Sequence, residues 1–319
     1  MKKFFKYLLI IVGIVLLVGL AGFSFIEIRG IPSYEVKKVD VLVAVTPERV
    51  ERGKKIALLL CANCHRSNET GKLTGKQMTD APKEFGTIYS QNITQDKTYG
   101  IGTWTDGELI YLLRTGIKRD GKYAPPYMAK LPHLADEDMN AVIAFLRSDD
   151  PLVAASATPD HPCEPSFLTK FLCMVAFKPF KMPEGKIDMP DSNNAVQFGK
   201  YLVFNLECFT CHSADYKTDN WEVPELSKGY MGGGNKPLDH AGKVIVTQNL
   251  TPDNETGIGT WTENRFVNAL KYGTMENDRA LRFPMVPFIY LTDNEAKAIY
   301  AYLRTVPPLK NKVPRSPFD

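Results

Sequence analysis

Twenty consecutive residues without a charged side chain, Tyr7 to Ile26, follow Lys2, Lys3 and Lys6. A run of this length crosses a bilayer core of about 30 Å as a helix, and the lysines before it hold the N-terminus on the cytoplasmic side. A cleaved signal peptide has a shorter apolar stretch, about 7 to 15 residues, that closes in a small-x-small site. This one continues through Phe23, Ser24 and Phe25. The pattern favours an uncleaved anchor over residues 1–30, a single pass through a bacterial inner membrane with the body on the periplasmic side.

Beyond the anchor the apolar positions recur at helical spacing in two matching sets, which predicts units over 47–150 and 191–308. Each set reads as three helices. The first opens at Thr46-Pro47-Glu48, a cap with proline in the first turn, and its Gly53-Lys54 is echoed by Gly199-Lys200. The second starts at the capping box Thr105-Asp-Gly-Glu108, buries Leu109, Leu112 and Leu113, and stops at Gly116. Its partner buries Phe266, Ala269 and Leu270 and stops at Gly273, but Arg265 stands where the box needs glutamate. The third carries Met139, Val142, Ile143 and Leu146 at i, i+3, i+4, i+7, repeated as Ala296, Ile299, Tyr300 and Leu303 behind Thr292-x-x-Glu295. The expected fold class is all-α, two tandem domains behind one transmembrane helix.

The duplication is written most plainly in one segment: Asn92-Ile-Thr-Gln-Asp through Gly-Ile-Gly-Thr-Trp104-Thr105 returns as Asn249-Leu-Thr-Pro-Asp through Gly-Ile-Gly-Thr-Trp261-Thr262. The second unit holds about ten extra residues ahead of this segment. Met231-Gly-Gly-Gly-Asn235 is expected inside that insertion, as a flexible surface loop. Between the units, 151–190 is proline-rich and reads as an ordered connector.

Composition changes this picture little. The 319 residues are 44% hydrophobic with 39 basic and 36 acidic side chains, ordinary globular values. The lysines are dispersed and no basic run interleaves with aromatics, so no nucleic-acid partner is indicated.

The cysteines decide the chemistry. Cys61-Ala-Asn-Cys64-His65 and Cys208-Phe-Thr-Cys211-His212 both read Cys-x-x-Cys-His, the attachment pattern of a covalent haem c: two thiols one turn apart reach the porphyrin vinyl groups, and the next histidine stands under the iron. A zinc knuckle or a redox dithiol uses Cys-x-x-Cys too, but the remaining cysteines, Cys163 and Cys173, do not complete a zinc set. Two haems are expected, and Cys163 with Cys173 is expected to form a disulfide tying the connector to itself.

The sixth iron ligand then sets function, because thioether sulfur raises the potential and closes the iron to reactants. Met128 in Pro125-Pro-Tyr-Met128 and Met285 in Phe283-Pro-Met285 each stand eight residues before an aspartate, Asp136 and Asp293. They are the candidates, with His65 and His212 opposite. Met139 reads as core and Met78 has no counterpart. His133 competes in the first unit, while His161 and His240 read as surface residues. Trp104 and Trp261, with Asn92 and Asn249, are candidates for donating to a buried haem propionate, or the tryptophans are simply core aromatics.

With these residues assembled the chain resembles the class I cytochrome c family, and among its members the cytochrome subunits of periplasmic alcohol- and gluconate-type dehydrogenases. The resemblance implies an electron carrier rather than an enzyme. Its partners would be redox proteins (a dehydrogenase, a quinol-oxidising complex or a terminal oxidase) and the lipid bilayer. The rival is a dihaem peroxidase or thiosulfate-type oxidoreductase with one displaceable ligand. A haem-based sensor has no support, since no signalling domain follows the second unit.

Overall fold

The computed structural model describes residues 2–79, 81–239, 241–274 and 280–314. His240 lies outside them. The chain is mostly helical: α1 Lys2–Arg29, α2 Pro47–Leu60, α3 Ala62–His65, α4 Asp106–Thr115, α5 Asp136–Leu146, α6 Phe167–Val175, α7 Ala195–Asn205, α8 Cys208–His212, α9 Glu263–Tyr272 and α10 Asp293–Leu303. Two-residue strands, Gly86–Thr87 and Glu164–Pro165, pair antiparallel, so the architecture departs from strictly all-α by one small ribbon that ties the connector to the first unit. Helix α1 has a mean hydropathy of 2.8 over its most apolar stretch and buries nothing against the rest of the chain there, as an element long and apolar enough to cross a membrane would.

The caps form as their residues dictate. Thr105 accepts from Glu108 N while Glu108 reaches back to Thr105 N, and Thr292 with Glu295 does the same. Thr262 accepts from Arg265 N without the reciprocal bond. Gly116 and Gly273 end α4 and α9 at φ 81° and 70°, left-handed values that glycine adopts without strain.

Each unit is built on one tight helix crossing. A Cβ at Gly53 would lie 1.8 Å from Ala141 O on α5, and one at Gly199 would lie 1.9 Å from Ala298 O on α10. Glycine is therefore what lets α2 meet α5, and α7 meet α10, backbone to backbone. The first core gathers Ala57, Leu109, Met139, Val142, Ile143 and Phe145, and the second Val203, Phe209, Phe266, Leu270, Ile299 and Leu303. Met139 is thus core, as its place in the apolar stripe implied. In α4 the buried face is Leu109, Ile110, Tyr111 and Arg114, with Leu112 and Leu113 only half-buried.

The units meet about a pseudo-two-fold axis. Lys55 and Tyr201 occupy matching places, two residues after Gly53 and Gly199, and each reaches the third residue of the other unit's last helix. Tyr201 Oη donates to Asp138 Oδ2 (2.6 Å), and Lys55 Nζ donates to Glu295 Oε1 (2.6 Å). A small cavity of about 50 Å³ on this axis is lined by equivalent pairs, among them Ile56 with Leu202, Leu60 with Leu206 and Leu134 with Leu291.

Two expectations fail. Met231 is fully buried and Gly232, Gly233 and Asn235 are buried with it, so this segment is no surface loop. Gly233 N donates to His212 O as Gly75 N donates to His65 O, and Met231 O receives Leu250 N as Leu73 O receives Ile93 N. The extra residues therefore lie before Met231, between 213 and 230, and they carry Trp221. Cys163 and Cys173 are free thiols and not a disulfide. Cys163 Sγ bonds the backbone of Tyr89, accepting from its N–H and donating to its carbonyl. Cys173 is buried on the inner face of α6.

Candidate functional site

In the first unit α2 runs almost directly into α3. Cys61 caps the end of one and the start of the other in helical conformation, and Cys64 N and His65 N both donate to Cys61 O at 3.1 and 2.8 Å. One turn therefore presents two thiols and an imidazole in the order the motif requires. In the second unit the chain breaks at Glu207, whose φ of 54° is left-handed, before α8 begins with Cys208. Burial pushes the Cys61 and Cys208 thiols up to about 12.

Each histidine is held by its distal nitrogen. His65 Nδ1 donates to Gln91 O at 2.7 Å and His212 Nδ1 to Gln248 O at 2.8 Å. That bond fixes the tautomer, leaves Nε2 with a free lone pair, and orients the ring as metal-binding imidazoles require. Burial lowers the pKa of both rings, keeping them neutral and able to ligate. Gln91 and Gln248 were missed in the sequence, although a glutamine precedes the asparagine of the duplicated segment in both units.

The methionine loops are clamped in parallel ways. Leu131 N donates to Leu113 O (2.7 Å), and Phe288 N to Leu270 O (2.9 Å). The fully buried Arg114 pairs with Asp136 (2.8 Å) and donates to Leu131 O (2.9 Å), while Lys271 takes the same place against Asp293. Between these anchors stand Met128, half-buried, and Met285, packed on the edge of the second core. The first loop has one further brace: buried Lys130 donates from Nζ to Pro125 O at 2.7 Å, its burial bringing the ammonium pKa down to about 7. At the matching place the second unit has Pro287, against Gly273. Sequence reading did not find Arg114, Lys130 or Lys271, because a lone basic residue in a helix or loop carries no such signal.

Asn92 Nδ2 donates to Ser156 O and Thr158 O, and Asn249 Nδ2 to Thr256 Oγ1 and Leu309 O. These bonds hold each segment to the chain that follows the closing helix or to a neighbouring side chain. Trp104 and Trp261 pack on the two cores beneath Arg119 and Arg265 guanidinium groups. His133 turns away from the first unit, its Nε2 bonding Trp221 O at 2.8 Å and its ring meeting Phe204. His161 is exposed.

Two cysteines one turn apart and an imidazole with Nε2 unprotonated are the donor set that covalent haem attachment uses, present twice. The profile of the cytochrome c family matches residues 50–149 and 196–307, and the chain belongs to that family. Its cofactors are two covalently bound haem c groups. Among curated proteins it is 31% identical over 275 residues to the fructose dehydrogenase cytochrome subunit of Gluconobacter japonicus, covering 81% of this chain and 52% of that one. It is 29% identical over 284 residues to the cytochrome c subunit of alcohol dehydrogenase (quinone) of Gluconacetobacter polyoxogenes, covering 84% and 58%. A diheme cytochrome c-type of Cereibacter sphaeroides matches at 26% over 292 residues, covering 86% and 92%. The chain spans little more than half the length of the two dehydrogenase subunits.

Proposed function

We propose that this chain is a membrane-anchored dihaem electron carrier that accepts single electrons from a dehydrogenase and passes them on along a respiratory chain, without itself transforming a substrate. The observation that carries the reading is the pairing, in both units, of a histidine locked with Nε2 free and a methionine loop clamped at its far end. Three helices surround each cofactor, in domains over 47–150 and 191–308 joined by the connector 151–190. Cys61 and Cys64 would hold the first haem, with His65 and Met128 to ligate its iron; Cys208 and Cys211 would hold the second, with His212 and Met285. Trp104 and Trp261 stand beside the propionates.

The bound groups supply the one-electron couples. The protein would attach them, keeps both histidines neutral, and holds the two methionine loops through proline neighbours and ion pairs whose basic partner is buried, which would keep water and small reactants off the iron. The pseudo-two-fold contacts of Lys55 with Glu295 and of Tyr201 with Asp138 fix one unit relative to the other, so the path between them does not depend on a mobile hinge. The relatives named as dehydrogenase subunits support a dehydrogenase as the electron donor. Helix α1 supports attachment to the inner membrane, uncleaved, with both units on the periplasmic side.

Carbon monoxide and hydrogen peroxide test the reading. The reduced protein should bind no carbon monoxide at neutral pH, and the oxidised protein should show no peroxide turnover. Stoichiometric carbon monoxide binding at one haem, or sustained peroxide reduction, would replace the carrier with an enzyme.

A further inference from the structure

Helix α6 is apolar nearly all round, on its outward face as well as its inner one. The residues it buries against the first unit are Thr169 and Cys173, and the stripe it turns outward is Leu168, Phe171 and Val175, at 41, 39 and 57% exposure. A surface helix of a water-soluble domain does the reverse.

The position of α6 says what covers this stripe. Its first ring, Phe167, stacks on Phe23 of α1 with centroids 4.8 Å apart, and Lys170 Nζ reaches Glu27 Oε2 at 2.5 Å. Glu27 is the first charge after the apolar run of α1, and so marks the boundary of the hydrocarbon layer. Phe23 lies one turn inside it, about 6 Å deeper at ~1.5 Å per residue. An interfacial helix buries its apolar face about 5 to 10 Å into the headgroup and acyl boundary, which is the depth these contacts assign to the start of α6. Lys170, at the boundary, has the long stem and charged head that suit such a site, and the exposed Lys178 and Lys181 follow just beyond the helix.

We infer that α6 is a second membrane element, a short interfacial helix whose Leu168, Phe171 and Val175 stripe faces the lipid bilayer beside the anchor. The inference rests on the reading of α1 as an uncleaved anchor. Its consequence is orientation as well as attachment. Thr169 Oγ1 donates to Phe85 O (2.8 Å), and just past the helix Tyr123 Oη donates to Lys178 O (3.3 Å) and Phe180 N to Thr115 O (3.1 Å). Through these bonds α6 holds the first unit against the membrane on the side that carries its methionine loop.

The test places p-benzoylphenylalanine, one position at a time, at Phe171, at Val15 in α1, and at the exposed Leu226 of the second unit. The full-length protein goes into vesicles of phosphatidylethanolamine and phosphatidylglycerol, is irradiated, and is analysed by mass. The expected result is lipid adducts at 15 and 171, at least five-fold above those at 226. Adducts at 15 with 171 at the level of 226 would overturn the interfacial helix and leave the anchor intact. A protein adduct at 171 in place of lipid, whether to a second copy or to a dehydrogenase, would overturn it as well. An intact mass lacking residues 1–29 would show that the anchor reading had failed, and lipid adducts at 171 in that protein would still support the helix. Haem content, measured for each variant, shows that the protein has folded.

Discussion

Tyr201 in the second unit donates its phenol hydrogen to Asp138 of the first, and the same hydroxyl accepts Ala135 N at 3.1 Å. Its symmetry mate is Lys55, which makes an ion pair with Glu295 instead. Two chemically different pairs thus occupy the two halves of one pseudo-symmetric contact, and they are not equivalent energetically. Tyr201→Phe removes a hydrogen bond to a carboxylate and strands a backbone donor, and should lower stability by about 1 to 3 kcal/mol. Lys55→Ala, in a partly solvated pair, should lower it by less than about 1 kcal/mol. Thermal unfolding of both variants with haem content unchanged checks the order; equal effects would mean that the Tyr201 bonds contribute nothing special.

The glycines at the helix crossings give a sharper structural prediction. Gly53→Ala or Gly199→Ala sets a methyl against a helix backbone that cannot yield, and should destabilise its unit by at least about 2 kcal/mol. Denaturant unfolding measures it. A change under a few tenths of a kcal/mol would mean that the helices are further apart than described.

Lys130 should matter to the first haem and not to the second. Lys130→Ala removes the donor to Pro125 O and loosens the Met128 loop, so one of the two potentials should fall and the ferrous protein should acquire carbon monoxide binding at one haem. Pro287 stands at this place in the second unit, so Pro287→Ala should leave both properties nearly unchanged. Redox titration and carbon monoxide difference spectra of the two variants separate them, and an unaltered Lys130→Ala protein would remove the brace.

Glu207 links stability to pH. Burial raises its carboxyl to about 8, with Lys130 opposing the shift and Asp219, itself raised to about 7 by burial, adding to it. A carboxyl raised in the folded state favours folding while it keeps its proton, so its contribution is complete below about 4.5 and is lost as pH climbs through about 8. Glu207→Gln should therefore gain on the wild type in thermal stability between pH 5 and pH 8. A gain that does not grow with pH would contradict the assignment.

How far the sequence led depends on the kind of signal. The haem motifs and the capping boxes are local patterns, and each was legible because its chemistry needs particular residues a few positions apart. Gly53 and Gly199 were visible as an echo, but their reason, a backbone crossing with α5 and α10, needs the third dimension. Met231-Gly-Gly-Gly-Asn235 misled because glycine-rich stretches usually mark loops; here glycine admits the backbone of Thr247 and Gln248 into a buried turn under His212. The expected disulfide failed because sequence proximity does not tell which face of α6 Cys173 occupies.

The central claim is that methionine sulfur closes both irons opposite His65 and His212, and near-infrared spectra taken through a redox titration test it most directly. Ferric haem with histidine and methionine ligands has its own charge-transfer band. Two such bands, each lost in a separate one-electron step, are the predicted result, with Met128→Ala and Met285→Ala each removing one of them. A high-spin component at either haem, or bands that survive both substitutions, would contradict it.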